Sequence, residues 1–188
     1  MDIILKLSQS KNTIYTFDEL REIFWTKNIQ VLKNKLNYYT KVWILERIVK
    51  WVYALKNKEI NRFELANKIY SPSYISFFSA LYHYWVIFQY EEDVYLAYKK
   101  TDTRKTPILN IRLKSLKKDI LLNPNWIINN WIYSIASAER AFLDTIYLYP
   151  NMHFDNLWAL NQDKILELLK IYNSKTMEKR IKDYFLNI

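Results

Sequence analysis

The 188-residue chain contains no cysteine and no glycine. The first absence excludes disulfides and thiolate metal sites, and it fits a cytoplasmic protein. No run of ~18 apolar residues is present, so no transmembrane helix is expected. The opening MDIILKLSQSKN lacks a signal-peptide layout. Histidine is scarce as well: His83 and His153 lie far apart, neither with a second ligand at metal-binding spacing. His83, between Tyr82 and Tyr84, reads as structural. No phosphate-binding loop and no serine nucleophile elbow occurs, even with every tryptophan read as glycine. The expectation is therefore a protein without catalysis, cofactor or metal.

The lack of glycine is the more unusual feature, since average usage would give about 13 in this length. Tryptophan is abundant instead, at 7 residues. It falls where a folded chain asks for glycine. Trp25, Trp43 and Trp85 end helical patterns, where a left-handed glycine usually stands. Trp51 occupies the turn of a hairpin pattern, and Trp126 and Trp131 follow asparagine as NPNW and NNW, where Asn-Gly would be the turn signal. Some bacterial lineages read the codon UGA as glycine and others read it as tryptophan. Abundant Lys, Asn, Ile and Tyr suggests an AT-rich genome, in which UGA would be favoured. The expectation is that most of these tryptophans stand for glycine, the alternative being a glycine-free protein with surface aromatics.

What remains is ample for a core, since 51% of the residues are hydrophobic. The net charge of +9 is uneven. Residues 27–58 carry Lys27, Lys33, Lys35, Lys41, Arg47, Lys50, Lys56 and Lys58 against one acid, Glu46, whereas residues 121–188 are balanced. A basic N-terminal third beside a neutral remainder suggests a nucleic-acid-binding module joined to a second function.

The first 55 residues read as three helices and a hairpin. Asp2–Ser10 is a short apolar helix. Thr16 and Glu19 form a capping box for the second, which runs to about Phe24. The third runs from Asn28 to about Tyr39, with Ile29, Leu32, Leu36 and Tyr39 as its buried stripe. Its opposite face carries Gln30, Asn34, Asn37, Tyr38 and Lys41, side chains suited to phosphates and base edges. Arg47 and Lys50 lie near the tip of the hairpin ILERIVK-W-VYAL. This order predicts a winged helix-turn-helix whose third helix enters the major groove. DNA contacts are assigned to Gln30, Lys33, Asn34, Asn37, Lys41, Arg47 and Lys50, with the cations on phosphates and Gln30, Asn34 and Asn37 nearest the bases.

Beyond a weak boundary at 58, Asn61–Ile69 and SPSYISFFSALYHY read as helices, the latter with Pro72 at its start and Ser71 as cap. VIFQY, VYLAYKK, TPILNIRLKSL and IINN-W-IYSIA read as strands. A cluster of cations runs from Lys99 to Lys118. Ser137 caps a helix with Glu139 in its first turn and Phe142, Leu143 and Ile146 on its apolar face. Asp163 to about Tyr172 and Ser174 to Phe185 complete a helical C-terminus. Arg140 and Asp144 are i,i+4 neighbours and can pair. Their cluster with Glu139 is either a capped helix with an ion pair or an interaction surface. Ser73, Tyr74 and Ser76 either dock a helix on the sheet or touch a partner.

Three segments, RIVKWVYAL, ANKIYSPSYISFFSALYHYWVI and SIASAERAFLDTIYLYP, together resemble the AbiEi-type antitoxins of type IV toxin–antitoxin systems, over roughly residues 12–150. Members of that family carry glycine at the positions of Trp51 and Trp85. The resemblance implies an α+β chain. Residues 1–58 would be a winged helix-turn-helix that represses its own operon. Residues 59–188 would be a mixed α/β antitoxin domain with a helical C-terminus, carrying the motif residues Ser73, Tyr74, Ser76, Glu139, Arg140 and Asp144. It further implies operator DNA as one partner. The other would be a nucleotidyltransferase toxin in an abortive-infection, phage-defence setting, neutralised without a stable complex. The rival expectation is a winged-helix transcriptional regulator whose C-terminal domain senses a ligand or partner.

Overall fold

The computed structural model describes residues 3–185, so the expected helix start at Asp2 lies outside the described residues. The chain is mixed α+β. Its first part runs α1 (Ile3–Gln9), β1 (Ile14–Thr16), α2 (Phe17–Ile23), α3 (Ile29–Lys41), β2 (Leu45–Val49) and β3 (Val52–Leu55). The strands form an antiparallel sheet in the order β1-β3-β2. The capping box at α2 is present: the Thr16 hydroxyl accepts from the Glu19 N–H, and a Glu19 carboxylate oxygen accepts from the Thr16 N–H at 2.7 Å. Asn28 caps α3 by accepting from the N–H groups of Gln30 and Val31. Leu32 and Leu36 of α3 are buried with Leu7, Tyr15, Leu20, Phe24, Leu45 and Tyr53 in a small core. Ile29, expected in that stripe, is half-exposed instead and lines the cleft beside Phe17 and Trp51.

The remainder comprises α4 (Arg62–Ile69), β4 (Tyr74–Ile75), α5 (Phe77–His83), β5 (Val94–Tyr98), β6 (Asp102–Lys105), β7 (Asn110–Ser115), α6 (Lys118–Leu121), β8 (Ile127–Asn130), β9 (Tyr133–Ala136), α7 (Ala138–Leu148), α8 (Gln162–Tyr172) and α9 (Lys175–Phe185). Six strands make one mixed sheet, in the order β6-β7-β5-β4-β9-β8. Alternation in β7 buries Ile111 and Leu113 and turns Arg112 outward. Among the described residues no helix is long and apolar enough to cross a membrane.

Two sequence expectations are corrected here, and one strand had no expectation at all. SPSYIS does not open a helix: Tyr74 and Ile75 pair as a strand with β5 and β9, and α5 starts only at Phe77. Pro72 follows a cis peptide bond. VIFQY is not a strand. Its backbone bonds to the loop near residue 155 instead, with the Phe88 N–H donating to Asp155 and the Val86 carbonyl accepting from the Asn156 N–H. The edge strand β6 (DTRK) had no periodic signal, since all four residues are exposed and polar.

The two parts share a core. Ile14, Ile48, Val52 and Ala54 of the small sheet pack in the same cluster as Leu65, Ala66 and the large sheet. Glu64, wholly buried on α4, accepts from the Thr13 N–H (2.8 Å), the Thr13 hydroxyl (2.6 Å) and the Ile14 N–H (3.3 Å). It also pairs with Lys68 at 2.9 Å. A cut at residue 58 would therefore bare apolar surface and strip β1 of these acceptors.

Six of the seven tryptophans have left-handed backbones: Trp25 (φ 49°), Trp43 (59°), Trp51 (67°), Trp85 (58°), Trp126 (62°) and Trp131 (46°). Trp158, in a short 3-10 helix, does not share this conformation, which limits the expected pattern to six. A left-handed L-residue costs about 1–2 kcal/mol. Six of them would cost roughly 6–12 kcal/mol, the scale of a domain's entire net stability of about 5–15 kcal/mol. Phe77 (φ 54°) also adopts it, but its ring is wholly buried and packing holds it there. Asn173 (φ 41°) ends α8, and asparagine tolerates the region.

Glu64→Ala leaves the Thr13 and Ile14 N–H groups without their acceptor and removes one carboxylate from Lys68. The expected loss is about 3–5 kcal/mol in denaturant unfolding of the whole chain; a loss below about 1 kcal/mol would contradict the role given to this carboxylate.

Candidate functional site

The residues assigned to DNA fall on two elements. On α3, Gln30, Asn34, Asn37 and Lys41 are all exposed and, at 100° per residue, occupy one face opposite Leu32 and Leu36. The Gln30 side-chain amide donates to the Asn34 carbonyl oxygen at 3.1 Å. Such an exposed bond exchanges readily for a contact to a ligand, because its net worth is small. On the hairpin, Arg47 is exposed on β2 opposite Tyr53. Burial raises the Tyr53 phenol above its ordinary value, and the Arg47 charge opposes that rise. Glu46, the one acid of residues 27–58, is paired with Lys56 at 3.1 Å.

Lys33 and Lys50 meet at the hairpin tip. Their ammonium groups stand 5.5 and 5.7 Å from the centre of the Trp51 ring, which packs edge-on against Phe17. Lys33, Lys50 and Trp51 line a cleft that Lys68 and Arg104 enter from the other part of the chain. Lys68 is committed inward, to Glu19 (2.8 Å), Glu64 (2.9 Å) and the Ile14 carbonyl (2.6 Å). Arg104 was legible only as one cation of a basic run. Its position beside the hairpin depends on β6 forming the edge of the sheet, which its composition does not signal.

The second set of assigned residues is internal. Tyr74, Ser76, Glu139, Arg140 and Asp144 are buried, Arg140 and Asp144 completely; Ser73 is half-buried. The alternative of an exposed interaction surface at Glu139, Arg140 and Asp144 is thereby overturned: the charges point into the fold, where every one is engaged. Arg140 Nε donates to Asp144 at 3.3 Å. Its other nitrogens donate to the Tyr74 hydroxyl (2.9 Å) and to the carbonyls of Ile120 (2.6 Å) and Asn125 (3.1 Å). Asp144 accepts from the hydroxyls of Ser76 (2.7 Å), Tyr74 (3.1 Å) and Tyr172 (2.6 Å). Glu139 accepts from the Ser137 hydroxyl at 2.9 Å and from the Asn161 N–H, while Ser137 caps α7. Ser73 accepts from the Asn67 amide at 3.1 Å, and Asn67 in turn accepts from the Ser134 N–H at 2.7 Å.

Burial pushes the Tyr74 and Tyr172 phenols well up, the Asp144 carboxylate adds to this, and Arg140 opposes it. Burial alone would lower Arg140, but Asp144 and the two phenols outweigh it and hold the guanidinium firmly protonated. A buried, fully satisfied cluster of this kind specifies packing. Among the described residues, no group of three or more His, Asp or Glu could hold a metal ion.

No protein-family model matches the chain, and no curated protein shows significant similarity to it.

The raised tyrosines set an alkaline limit. Unfolded phenols ionise near pH 10 while Tyr74 and Tyr172 stay protonated in the fold. Stability is therefore complete below about pH 10 and declines as pH rises through it, by up to about 1.4 kcal/mol per pH unit for each phenol. Denaturant unfolding at pH values around 8 to 11 should show this decline, flattened in Tyr172→Phe. An equal slope in the variant would remove Tyr172 from the linkage.

Proposed function

We propose that the chain is an antitoxin of the type IV, AbiEi-like kind. On this reading its first part is a winged helix-turn-helix that binds operator DNA and represses its own operon. The rest neutralises the effect of a nucleotidyltransferase toxin without forming a stable complex with it. The observation that carries the reading is the exposed face of Gln30, Asn34, Asn37 and Lys41 on α3, set beside a hairpin that bears Arg47 and Lys50. The element order helix, strand, helix, helix, strand, strand supports this reading, on which the third helix enters the major groove. Asn34, Asn37 and Gln30 then have the donor and acceptor pairs that suit adenine, and the cations face phosphates.

The resemblance gains physical sense from the buried cluster. Its second segment supplies Tyr74 and Ser76, its third supplies Arg140 and Asp144, and the four side chains bond to one another. Each segment needs the other for its polar groups to be satisfied, so the two would recur together. The proposed antitoxin function of the second part rests on this likeness and on no exposed catalytic group.

Replacing Lys41 and Arg47 together with glutamine should lower the salt slope of operator binding by about two. An unchanged slope would take this face out of the interface. The two functions should also separate within the intact chain, since the shared core argues against testing fragments. Asn34→Ala with Asn37→Ala should abolish operator binding and leave rescue from the toxin unchanged in cells. Loss of rescue together with binding would contradict the division of labour.

A further inference from the structure

We infer that Trp25, Trp43, Trp51, Trp85, Trp126 and Trp131 occupy glycine sites, that the native chain carries glycine at all six, and that each is inserted at a UGA codon by a glycine-accepting tRNA. The inference stands on backbone geometry and is independent of the function proposed above.

Three of the six close helices in the same way. After α2, the Trp25 N–H donates to the Glu22 carbonyl (3.0 Å) and the Thr26 N–H to the Arg21 carbonyl (3.3 Å). After α3, Trp43 donates to Thr40 (3.3 Å) and Ile44 to Tyr39 (3.0 Å). After α5, Trp85 donates to Tyr82 (3.1 Å) and Val86 to Leu81 (2.9 Å). Each is a Schellman motif with tryptophan at the left-handed C′ position, which belongs to glycine. The other three are turns. The Ile127 N–H donates to the Pro124 carbonyl at 3.1 Å, which puts Trp126 at the third residue of a β-turn with φ 62°. Positive φ there is the mark of a type II turn and its glycine. Trp131 is the first of two residues between β8 and β9, and Trp51 the second of two between β2 and β3. Both are turn positions where positive φ is met by glycine.

Packing of the indoles does not account for the shared conformation. Trp25 and Trp131 are 90% and 94% exposed, and Trp43 and Trp85 are largely so. Trp51 lies edge-on to Phe17 with two lysines over its ring, and half-buried Trp126 rests on the rim of the main core under Lys164. Trp158 supplies the internal control, being exposed as well but free of positive φ. An ordinary tendency to place tryptophan on the surface would not sort the seven by backbone conformation. Indoles at four of these positions also wall surface clefts, at Trp25, Trp51, Trp85 and Trp131, so these clefts change shape once glycine is restored. A consequence for expression follows. In a cell that reads UGA as stop, the chain ends after Phe24, before α3 begins, and in one that reads it as tryptophan the full-length chain carries the six indoles, so the native chain is made only where UGA is a glycine codon.

The gene and the protein test this together. The codons should be UGA at the six positions and UGG at 158; UGG at the six would overturn the inference. Peptide mass spectrometry of the protein from its own cell should find glycine at the six and tryptophan at 158, and tryptophan at the six would overturn it even with UGA codons. Separately, the full chain carrying all six Trp→Gly substitutions should unfold less readily than the seven-tryptophan chain. Each position is expected to raise the folded-to-unfolded ratio roughly 5–30-fold, with no gain from Trp158→Gly. A six-glycine chain no more stable than the tryptophan chain would show that the indoles belong to the fold.

Discussion

The arrangement of the larger part of the chain depends on one buried cation. Arg140 brings a full charge into the core, and such a charge is tolerable only when its nitrogens and its counter-ion are all engaged. Meeting that demand recruits α7 itself through Asp144, β4 through Tyr74 and Ser76, the segment from Ile120 to Asn125, and α8 through Tyr172. Four regions distant in sequence are thereby fixed in one geometry. Aliphatic side chains in the same place would bury area without specifying which strand or loop lies against α7. Ser76, at the cap position of α5, makes no side-chain cap bond, and its hydroxyl donates into this cluster at Asp144.

A second buried ion, Glu64, joins this part to the first. Its carboxylate closes the end of β1, and Lys68 beside it reaches both Glu19 and the Ile14 carbonyl. The small sheet thus has one face on its own core and the other on the larger one. On the proposed function this geometry carries meaning. The hairpin strands belong to the shared core, α3 packs on their other face through Leu32 and Leu36, and Arg104 lines the same cleft as Lys33 and Lys50.

Much of this was legible from local chemistry. The Thr16–Glu19 box, the Ser137 cap and the alternation around Ile111 and Leu113 are each decided within a few residues, and each appears where its pattern placed it. The turn positions were legible for the same reason, since a helix stop or a two-residue hairpin betrays itself even when an improbable residue fills it. What escaped depended on distant partners. Tyr74 and Ile75 look like the first turn of a helix, and only pairing with β5 and β9 makes them a strand. β6 has no apolar residue to reveal it. Ile29 obeyed the helical period but is absent from the core it was expected to fill and is exposed. For the candidate site, the polar face of α3 could be read from its period, whereas the meeting of Lys33 and Lys50 required the hairpin to fold back. The inward turn of Glu139, Arg140 and Asp144 could not be told from an exposed cluster, because i,i+4 spacing is the same in both.

The central functional claim is that α3 reads DNA in the major groove while the hairpin grips the backbone. Footprinting of the full chain on the DNA upstream of its own gene, combined with methylation interference, tests it most directly. The account predicts a discrete protected segment in which modification of major-groove purine nitrogens blocks binding, flanked by backbone protection from the hairpin. Protection without sequence preference, or interference confined to the minor groove, would contradict it.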